Sequence, residues 1–490
     1  MLPDGEIKRY PRLNNFAAWR SGKLWKDWNA NGNKYLEQGS EGAEGGYYTQ
    51  DELRDLVKYA AERGITIVPE IEMPGHSEEV LTAYPELSCT HEPYKQADFC
   101  PGNIGTYDFL ENVLKEVMDI FPSHYIHVGG DEAAKKSWGS CALCQKKMKE
   151  LGIDNVDGLQ AHLISHMGKF LNEHGRQLVG WDEVIAGNLS KNTTVMVWRG
   201  TELAHEAIKH GYDVVMSPGA YCYFDMYQDA PGTQPVANGG FIPTEKVYSY
   251  VPGSDLPEAE RNMITGVQAN LWTEHIPTPE YAEYMLYPRA LALAEIGWNG
   301  TKTKNYPEFK TRALAQVEHL KAEGVNPFEL KKEIGERKEK MVQHKAVGAK
   351  VTYNHAYNRY YPAAGEKTLV DGNMGGWAHG DGRWQGFIGK DCFDVTIDLG
   401  KSTKISSVGT DFMQSSGPEI FYPSQYTVSV SEDGKNFTQV FDKKYESSKE
   451  PILNFKTLTW KGSKTARYIR VQAKPSSFGG WLFVDEIIVK

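Results

Sequence analysis

The sequence has little cysteine, no long apolar run and no excess of positive charge, and each shortage excludes a class of protein. Six cysteines among 490 residues are too few for a disulfide framework. No apolar run approaches the roughly 18 residues of a membrane span, and the opening residues MLPDGEIKRYPRL lack a signal-peptide core. A formal net charge of -10, with lysine and arginine dispersed among the acids, argues against nucleic-acid partners and a basic membrane-binding patch. We therefore expect a small neutral ligand, and a chain that is either cytoplasmic or without its natural N-terminus.

The cysteines predict no metal site. Cys141 and Cys144 form one CxxC pair in WGSCALCQ, but a four-cysteine zinc site would need a second such pair, and the sequence has none. A local disulfide or reduced thiols are the favoured interpretations. Cys89 and Cys100 bracket a short loop that they could close in an oxidising compartment, so the disulfide state stays open.

Aromatic residues are abundant instead. The 12 tryptophans and 27 tyrosines exceed what core packing normally needs. Flat rings are the surfaces on which the C–H faces of sugars stack, although large cores also use many of them.

Between about residues 45 and 300, short β-branched apolar runs alternate with longer amphipathic ones, which indicates a parallel β/α architecture. An intervening helix is predicted in TQDELRDLVKYAAERG, with Thr49 as N-cap, Glu52 completing a capping box and Gly64 closing the C-terminus. Repeats of this size build a (β/α) barrel or an open sheet. Six runs are predicted strands, and they begin at Ile65, Tyr125, Gln177, Thr194, Asp213 and Ile264.

The strand ends favour the barrel. In a (β/α)8 barrel the carboxyl ends of all strands converge on one mouth, where active sites lie. An open doubly wound sheet would usually bring a glycine-rich phosphate loop, which this sequence lacks. Five of the six predicted strands end in acids, tryptophans or both: Glu70 and Glu72, Asp131 and Glu132, Trp181 to Glu183, Trp198, and Trp272 with Glu274.

The predicted α/β fold is thus a (β/α)8 barrel that is incomplete at its N-terminus, since the first two of eight strands are not found. The residues before Thr49 form a polar, glycine-rich stretch without a strand run. An open barrel edge exposes unpaired backbone, so we expect low stability or support from elsewhere. The predicted domains are the barrel over 1–325, a charged helical linker over 326–350 containing KKEIGERKEKMVQHK, and an all-β domain over 351–490.

The sequence of the last domain predicts an antiparallel β-sandwich. VTIDLG, QYTVSVSEDGKNFTQVF and ARYIRVQA alternate apolar and polar residues between Gly, Asp and Ser turns. The sequence Glu-Asp-Gly-Lys at 432–435 is a hairpin signal.

The segment HVGGDEA carries the strongest candidate for chemistry. Asp131 and Glu132 are adjacent acids at a strand end, and extended backbone would point their side chains to opposite faces. Gly129 and Gly130 leave room for the close approach of a ligand or a neighbouring backbone. Taken alone, the segment also fits a helix N-cap followed by an acid that the helix dipole favours.

The ordered series GGYYTQDEL, VPEIEMPGH, YIHVGGDEA, VGWDE, VWRG and NLWTE resembles the catalytic domain of glycoside hydrolase family 20, the β-N-acetylhexosaminidases, over about residues 5–325. The resemblance implies removal of terminal β-linked N-acetylglucosamine or N-acetylgalactosamine, with attack by the substrate's own acetamido oxygen. It assigns the stabilisation of the oxazolinium intermediate to Asp131 and the acid/base role to Glu132. It also implies a periplasmic or secreted location.

Further substrate-binding residues follow from the same resemblance. Trp181, Trp198 and Trp272 match tryptophans that wall the acetamido group, and Tyr223 matches the tyrosine that hydrogen-bonds its carbonyl oxygen. Asp225 and Glu274 match acids that hold sugar hydroxyls, and His76 matches a histidine that supports the acid/base. An arginine and an aspartate of the family's first two strands have no visible counterpart. A catalytically impaired glycan-binding protein is therefore the alternative function, and a glycosidase with a direct carboxylate nucleophile is a third.

The last 140 residues resemble the discoidin or coagulation-factor 5/8 type C family of jelly rolls, in LVDGN, RWQGF, VTIDLGK, ARYIRVQA and WLFVDEIIV. Such domains bind ligands through loops at one end. No cofactor is predicted beyond a structural calcium near Asp371 and Asn373, where oxygen-rich loops suit a hard cation. The oligomeric state stays open, and the predicted partner is a glycan with a terminal N-acetylhexosamine. The candidate glycan-binding residues of the domain are Trp377, Trp384, Phe478 and Trp481.

Overall fold

The computed structural model describes residues 5–187, 189–300, 304–337, 341–390, 393–450 and 453–490. Its strands are β1 (Trp19–Ser21), β2 (Ala43–Gly45), β3 (Tyr125–His127), β4 (Gln177–Trp181), β5 (Thr194–Val197), β6 (Asp213–Met216), β7 (Ile264–Val267), β8 (Lys350–Tyr353), β9 (Gln385–Ile388), β10 (Phe393–Ser415), β11 (Gln425–Ser431), β12 (Thr438–Lys444), β13 (Leu453–Lys474) and β14 (Trp481–Val489).

Its α-helices are α1 (Trp25–Ala30), α2 (Gln50–Ala61), α3 (Glu78–Ala83), α4 (Ile104–Ile120), α5 (Ala142–Leu151), α6 (Val156–Glu173), α7 (Thr201–Lys209), α8 (Gly219–Cys222), α9 (Thr244–Ser249), α10 (Glu258–Arg261), α11 (Pro279–Leu286), α12 (Arg289–Asn299) and α13 (Tyr306–Ala322). None of these helices combines the length and apolar character needed to cross a bilayer, as judged over the described residues.

The chain divides into two compact units. The first unit comprises Met1–Tyr223, Tyr248–Asn270 and Ala290–Asn305. The second unit comprises Phe224–Val247, Leu271–Arg289 and Tyr306–Lys490. The segments that follow strands β6 and β7 therefore belong to the same unit as the C-terminal strands.

The five strands β3 to β7 of the first unit form a parallel sheet in the order of the chain. A doubly wound sheet would reverse its strand order at a switch point, whereas strands in sequence order, separated by helices, are the pattern of a (β/α) barrel. Strand β4 is buried at every position, as expected for a parallel strand covered on both faces. The predicted barrel-type α/β fold is confirmed.

Helix α2 begins and ends where its sequence predicts. Thr49 Oγ1 accepts a hydrogen bond from Glu52 N at 3.3 Å, and Glu52 Oε2 accepts one from Thr49 N at 2.7 Å, which completes the capping box. Gly64, just beyond the helix, has a φ of 70° and so ends it in a left-handed conformation.

The predicted strand beginning at Ile65 is only partly formed. Pro69–Met73 runs beside β3, where Ile71 N donates to His127 O at 2.9 Å and Met73 N donates to Val128 O at 3.1 Å. The only ladder pair in the described part of this segment is the bridge between Glu70 and His127. Prolines at 69 and 74 remove backbone donors, which shortens the ladder.

The sequence predicted a loop without strands before Thr49. The structure instead has helix α1 and an antiparallel ribbon of β1 and β2 there. Each of these strands has three residues, too few to show an alternating pattern in sequence. Gly45 is required in the ribbon, because a Cβ there would lie 2.1 Å from Ala18 O.

The prediction of a helical linker over 326–350 is wrong for the residues of that range that the structure describes, which leave out 338–340. They contain a 3-10 helix at Leu330–Lys332 and the start of β8, while the charged helix α13 ends earlier, at Ala322. Gly335 has a φ of 78°, and Asp229 accepts hydrogen bonds from Ile334 N at 2.9 Å and Gly335 N at 2.7 Å. These bonds replace the helical hydrogen bonds that the composition suggested.

The strands β8 to β14 pair only antiparallel and confirm the predicted sandwich. Strands β10 and β13 are 23 and 22 residues long and pair with each other over most of that length. Apolar side chains of β10, β11 and β13 meet in one core that includes Phe393, Tyr426 and Ile469. The hairpin predicted at 432–435 joins β11 to β12, where Asp433 accepts from Lys435 N and Asn436 N.

Candidate active site

The backbone after β3 makes a tight turn that only glycine can form. Gly129 and Gly130 have φ values of 66° and 103°. A Cβ on Gly129 would lie 1.9 Å from Glu72 Oε2, and Gly130 N donates to Glu72 Oε1 at 3.0 Å. The space that the sequence analysis reserved for a ligand or backbone is occupied by the Glu72 carboxyl group.

Asp131 and Glu132 converge on His76. Nε2 of His76 lies 3.3 Å from Asp131 Oδ2 and 3.3 Å from Glu132 Oε2. The prediction that the two acids point to opposite faces is wrong, because Glu132 has a φ of 49° and its backbone is not extended. Hydrogen bonds from His76 to Asp131 and Glu132 raise the pKa of His76 to about 10. The imidazole is therefore a cation at neutral pH.

The second oxygen of Asp131 is available to a ligand. Asp131 Oδ1 is buried and has no hydrogen-bond partner in the described part of the chain. The Asp131 side chain is 16% exposed, whereas that of Glu132 is 57% exposed. A buried acceptor beside an accessible carboxyl group is the arrangement that a polar substrate can complete.

Glu72 is a buried acid that interacts electrostatically with Asp131, and the sequence analysis gave it no role in the site. Burial, followed by the charge of Asp131, raises the pKa of Glu72 well above its usual range. A protonated Glu72 leaves the negative charge on Asp131. The sequence PEIE could have indicated this residue, because Glu70 and Glu72 are two residues apart and so lie on one face of an extended segment.

Trp181 is held at the end of β4 by Glu70. Its indole Nε1 donates to Glu70 Oε1 at 3.0 Å, and its ring packs edge-on to His127 with centroids 5.0 Å apart. Burial opposes ionisation of Glu70, but the His127 charge and the hydrogen bonds from His127 and Trp181 outweigh it, so the pKa of Glu70 is lowered. An ionised Glu70 fixes the indole orientation.

Trp198 is fixed by the two acids that follow Trp181. Asp182 Oδ2 accepts from Trp198 N at 2.9 Å and from Arg199 N at 3.1 Å. Glu183 Oε2 accepts from the Trp198 indole at 3.2 Å. Burial, and then the neighbouring Asp182 charge, raises the pKa of Glu183 to about 7. Arg199, which the sequence analysis did not select, forms an ion pair with Asp182.

Tyr223 completes the predicted residues of the first unit. Its ring centroid lies 6.3 Å from that of Trp198, with the planes 31° apart. Tyr223 also forms a parallel bridge with Asn270, so the segments after β6 and β7 lie side by side there. Six predicted site residues thus follow neighbouring segments of one parallel sheet: His76, Asp131, Glu132, Trp181, Trp198 and Tyr223.

Asp225, Trp272 and Glu274 belong to the second unit. Asp225 is buried, and its Oδ2 accepts from Asn238 Nδ2 at 3.1 Å. Burial raises the pKa of Asp225 to about 6, with a further contribution from the charge of Glu274. Asp225 Oδ1 and Glu274 Oε2 are buried without partners among the described residues. Trp272 is partly buried.

Arg289 holds the Asp225 segment, and the sequence analysis missed it. The fully buried guanidinium donates to the backbone oxygens of Phe224, Met226 and Met285, and it lies 4.9 Å from the Phe224 ring centroid. Burial lowers the pKa of Arg289 to about 9. An arginine inside the apolar run YPRALALAE was the available signal, since buried arginines need several acceptors.

The four aromatic residues of the sandwich that were predicted to bind glycans differ in exposure. Trp384 is 1% exposed and stacks on Phe455 at 5.4 Å, so its assignment as a glycan contact is wrong. Trp377 and Trp481 are partly buried and pack against core residues. Phe478 is 46% exposed and remains a candidate. The calcium near Asp371 and Asn373 stays a prediction; there Asp371 Oδ1 accepts from Asn373 N at 2.8 Å.

Two groups of side chains among the described residues could bind a metal ion. One is His76 with Asp131 and Glu132, and the other comprises Cys89, Cys100, Cys141 and Cys144. The sequence analysis predicted no four-cysteine site, because it required a second CxxC pair. The fold instead brings Cys89 and Cys100 to the CxxC pair from separate positions.

The protein is similar to known glycosidases. Residues 5–301 match the glycosyl hydrolase family 20 catalytic domain, and residues 350–487 match the F5/8 type C domain. The chain is 39% identical over 331 residues to a beta-hexosaminidase of Porphyromonas gingivalis, covering 66% of this chain and 40% of that protein. A beta-hexosaminidase of Vibrio furnissii is 37% identical over 307 residues, with coverages of 60% and 49%. The chain spans about half the length of these curated relatives or less.

Solved structures agree. A GH20 exo beta-N-acetylglucosaminidase of Vibrio harveyi in complex with N-acetylglucosamine has a TM-score of 0.57 and 31% identity, covering 66% of this chain and 52% of that one. The beta-N-acetylhexosaminidase of Bacteroides fragilis has the same TM-score and identity, with coverages of 67% and 64%. Since the matched catalytic domain covers more than half of the sequence, the chain belongs to glycosyl hydrolase family 20.

Proposed function

We propose that the protein is an exo-acting, retaining β-N-acetylhexosaminidase that removes terminal β-linked N-acetylglucosamine or N-acetylgalactosamine from glycans. The observation that carries the proposal is the convergence of Asp131 and Glu132 on His76, each at 3.3 Å, with Asp131 Oδ1 left for a ligand. Family membership and the N-acetylglucosamine bound by the Vibrio harveyi relative support the substrate class. A periplasmic or secreted location is part of the proposal and rests on the family alone.

Asp131 is the electrostatic stabiliser in this mechanism. The acetamido oxygen of the substrate attacks the anomeric carbon, the bond to the glycosidic oxygen breaks, and an oxazolinium ring forms. Positive charge then develops near the acetamido nitrogen. Asp131 Oδ1 is the acceptor for that N–H, and its fixed position means that little reorganisation is needed as the charge develops. Protonation of Glu72 concentrates the local negative charge on Asp131.

Glu132 moves the proton. It gives a proton to the departing glycosidic oxygen, and as the carboxylate it then takes one from the water that opens the oxazolinium ring. Its side chain is 57% exposed, which a group that must reach both the leaving group and water requires. His76 Nε2, 3.3 Å from Glu132 Oε2, holds the carboxyl group in place for both steps.

A glycosidase with a direct carboxylate nucleophile is the alternative retaining mechanism. Retaining enzymes of that kind hold two carboxyl groups about 5–5.5 Å apart on opposite faces of the scissile bond. Here oxygens of Asp131 and Glu132 lie within 4.8 Å of each other and contact the same imidazole nitrogen. In both mechanisms the attacking group and the departing oxygen lie on opposite faces of the anomeric carbon, so thiazoline inhibition, rather than this spacing, distinguishes them.

Glycan binding by the sandwich is the second candidate function. Phe478 is 46% exposed, its ring packs edge-on to Phe421 at 5.9 Å, and Lys449 Nζ lies 4.8 Å from its centroid. An exposed ring held from below is suited to stacking on a sugar. Absence of turnover together with glycan binding that Phe478→Ala abolishes would favour this function over catalysis.

Turnover of an aryl β-N-acetylglucosaminide tests the proposal directly. We expect hydrolysis of this substrate and none of the matching β-glucoside, which lacks the acetamido nucleophile. A thiazoline analogue of the oxazolinium should inhibit tightly. Equal hydrolysis of both substrates, or failure of the thiazoline to inhibit, would contradict acetamido participation.

Glu132→Gln tests the acid/base assignment. We expect kcat/KM to fall by about 10²–10⁴ on a substrate with a poor leaving group, the usual contribution of general acid–base catalysis. A substrate whose leaving group needs no proton should be affected much less in the first step. Glu62→Gln, an exposed change at the end of α2, is the matched control. Equal losses on both substrates would remove Glu132 from this role.

A further inference from the structure

Four cysteines of the first unit meet at one point. The Sγ atoms of Cys89 and Cys144 are 3.7 Å apart, those of Cys100 and Cys141 are 3.7 Å apart, and those of Cys100 and Cys144 are 3.6 Å apart. All four Sγ atoms lie within 4.8 Å of one another, and each cysteine is free of disulfides. A disulfide would need a separation of about 2.0 Å.

These separations are those of thiolates around a tetrahedral metal. Zinc binds thiolate sulfur at about 2.3 Å in four-coordinate structural sites, which places neighbouring sulfurs about 3.8 Å apart. Four soft sulfur donors without an open position select zinc over harder cations. We propose that Cys89, Cys100, Cys141 and Cys144 bind one structural Zn²⁺ in the first unit.

The backbone around the cluster is built for metal-bound thiolates. Cys141 is the N-cap of α5 and Cys144 lies in its first turn, where the helix dipole favours negative charge. A Cβ on Gly102 would lie 2.3 Å from Cys144 N, so the loop after Cys100 packs directly on this helix end. Gly102 N–H is also a backbone hydrogen-bond donor toward the sulfurs of Cys100 and Cys144.

Burial and charge support the same assignment. Cys100 and Cys144 are fully buried and pack with Trp138, Met148 and Leu159. Cysteine binds a metal ion as the thiolate. Four thiolates and one Zn²⁺ carry a net charge of -2, and helix α5, which holds Cys144, contains three lysines and one glutamate.

The cluster braces the loops that bear the catalytic residues. On one side, Ser77 N donates to Ala97 O and Phe99 N donates to Pro74 O, both at 2.9 Å, which fixes the turn that carries His76. On the other side, Asp98 accepts from Ala134 N at 3.2 Å and from Lys135 N at 2.7 Å, just after Glu132. The segment between Cys89 and Cys100 therefore supports both sides of the His76, Asp131 and Glu132 group, so the metal acts through position.

Metal content of the unmodified full chain is the decisive measurement. Protein purified without chelators or added metal should contain one zinc ion per chain by inductively coupled plasma mass spectrometry. Its intact mass after denaturation with a chelator, under non-reducing conditions, should be that of the fully reduced chain. A chain with no zinc and free thiols, or a mass lower by two or four hydrogens from disulfides, would overturn the proposal.

Variants locate the ion. Cys141→Ser and Cys144→Ser should each lower zinc to background, whereas Cys222→Ala, which removes a buried cysteine outside the cluster, should keep one zinc ion per chain. Because a serine variant can fail to fold, Co²⁺ substitution of the unmodified protein gives an independent readout. Thiolate-to-cobalt charge-transfer absorption is expected, and its absence with Co²⁺ bound would overturn the assignment. These readouts hold whether or not the chain hydrolyses glycosides.

Discussion

The strand ends of the first unit and the C-terminal sandwich use buried carboxylates in opposite ways. In the sandwich, Arg337 pairs with Asp411 at 3.0 Å, His344 pairs with Glu486 at 3.0 Å, and each of these four side chains is at most 10% exposed. The first unit instead collects six acids beside few cations: Glu70, Glu72, Asp131, Glu132, Asp182 and Glu183.

Burial and a neighbouring acid raise pKa values in both regions, since the pKa of Asp485 in the sandwich, beside Asp411, also lies well above its usual range. Burial and the charge of a neighbouring acid raise the pKa of Glu72 well above its usual range and that of Glu183 to about 7. Like charges held together destabilise a fold and are typical of sites that do chemistry. Solvent access separates the two regions instead, because the Asp411 and Glu486 side chains are at most 1% exposed whereas that of Glu132 is 57% exposed and can reach a ligand.

Asp131→Asn should give the largest effect and should separate activity from stability. We expect kcat/KM on an aryl β-N-acetylglucosaminide to fall by about 10²–10³, as for the loss of one preorganised electrostatic group. The melting temperature should fall only slightly, because the substitution weakens a pair whose His76 side chain is half exposed. Asp119→Asn, on an exposed pair with Arg54, is the control.

A fully active Asp131→Asn protein would remove this residue from the reaction. A large fall in melting temperature would instead show that Asp131 supports the fold, as the sandwich acids do, and would break the comparison.

Arg337→Met should produce the reverse result in the sandwich. It leaves Asp411 and Asp485 buried without their cation, which is expected to destabilise the domain by about 3–5 kcal/mol. Turnover below the unfolding transition should be retained. Arg467→Met, which breaks a pair with Asp398 whose side chains are 41% and 24% exposed, is the matched control and should cost less stability. Chemical denaturation followed by tryptophan fluorescence measures both, and equal small losses would contradict the buried-pair argument.

The sequence predicted the features that depend on neighbouring residues. The capping box at Thr49 and Glu52 is local chemistry, and it formed as expected. The parallel order of β3 to β7 followed from strands alternating with helices, since such connections place consecutive strands side by side. The Gly129 to Glu132 motif was recognised because glycines and acids at a strand end are unusual.

Features that depend on distant segments were not predictable in this way. Cys89 and Cys100 join the CxxC pair only through the fold, so a rule based on spacing rejected the site. The convergence of Asp131 and Glu132 depends on the left-handed backbone conformation of Glu132, which the neighbouring residues do not predict. Charge density suggested a linker helix, but Asp229 captures the backbone at Gly335 instead.

A pair of histidines extends the comparison to pH. His76 in the first unit is hydrogen-bonded to two acids, and its pKa is raised from 6.5 to about 10. His379 in the second unit packs edge-on to Phe483, with centroids 5.3 Å apart, and burial lowers its pKa. The two groups should therefore couple folding to pH with opposite signs.

The folded state holds the His76 proton more tightly than the unfolded chain, so this stabilisation is complete below pH 6.5 and is lost as the pH rises to about 10. The folded state disfavours the His379 proton, so its contribution is present above pH 6.5 and is lost on acidification. Solvent screening reduces the His76 effect, since its side chain is 49% exposed. NMR titration of isotope-labelled histidines, with His76→Gln and His379→Gln for assignment, measures the two pKa values. A pKa for His76 near 6.5 would show that Asp131 and Glu132 do not hold it as a cation, and the acidic cluster would then lack the counter-charge on which its geometry depends.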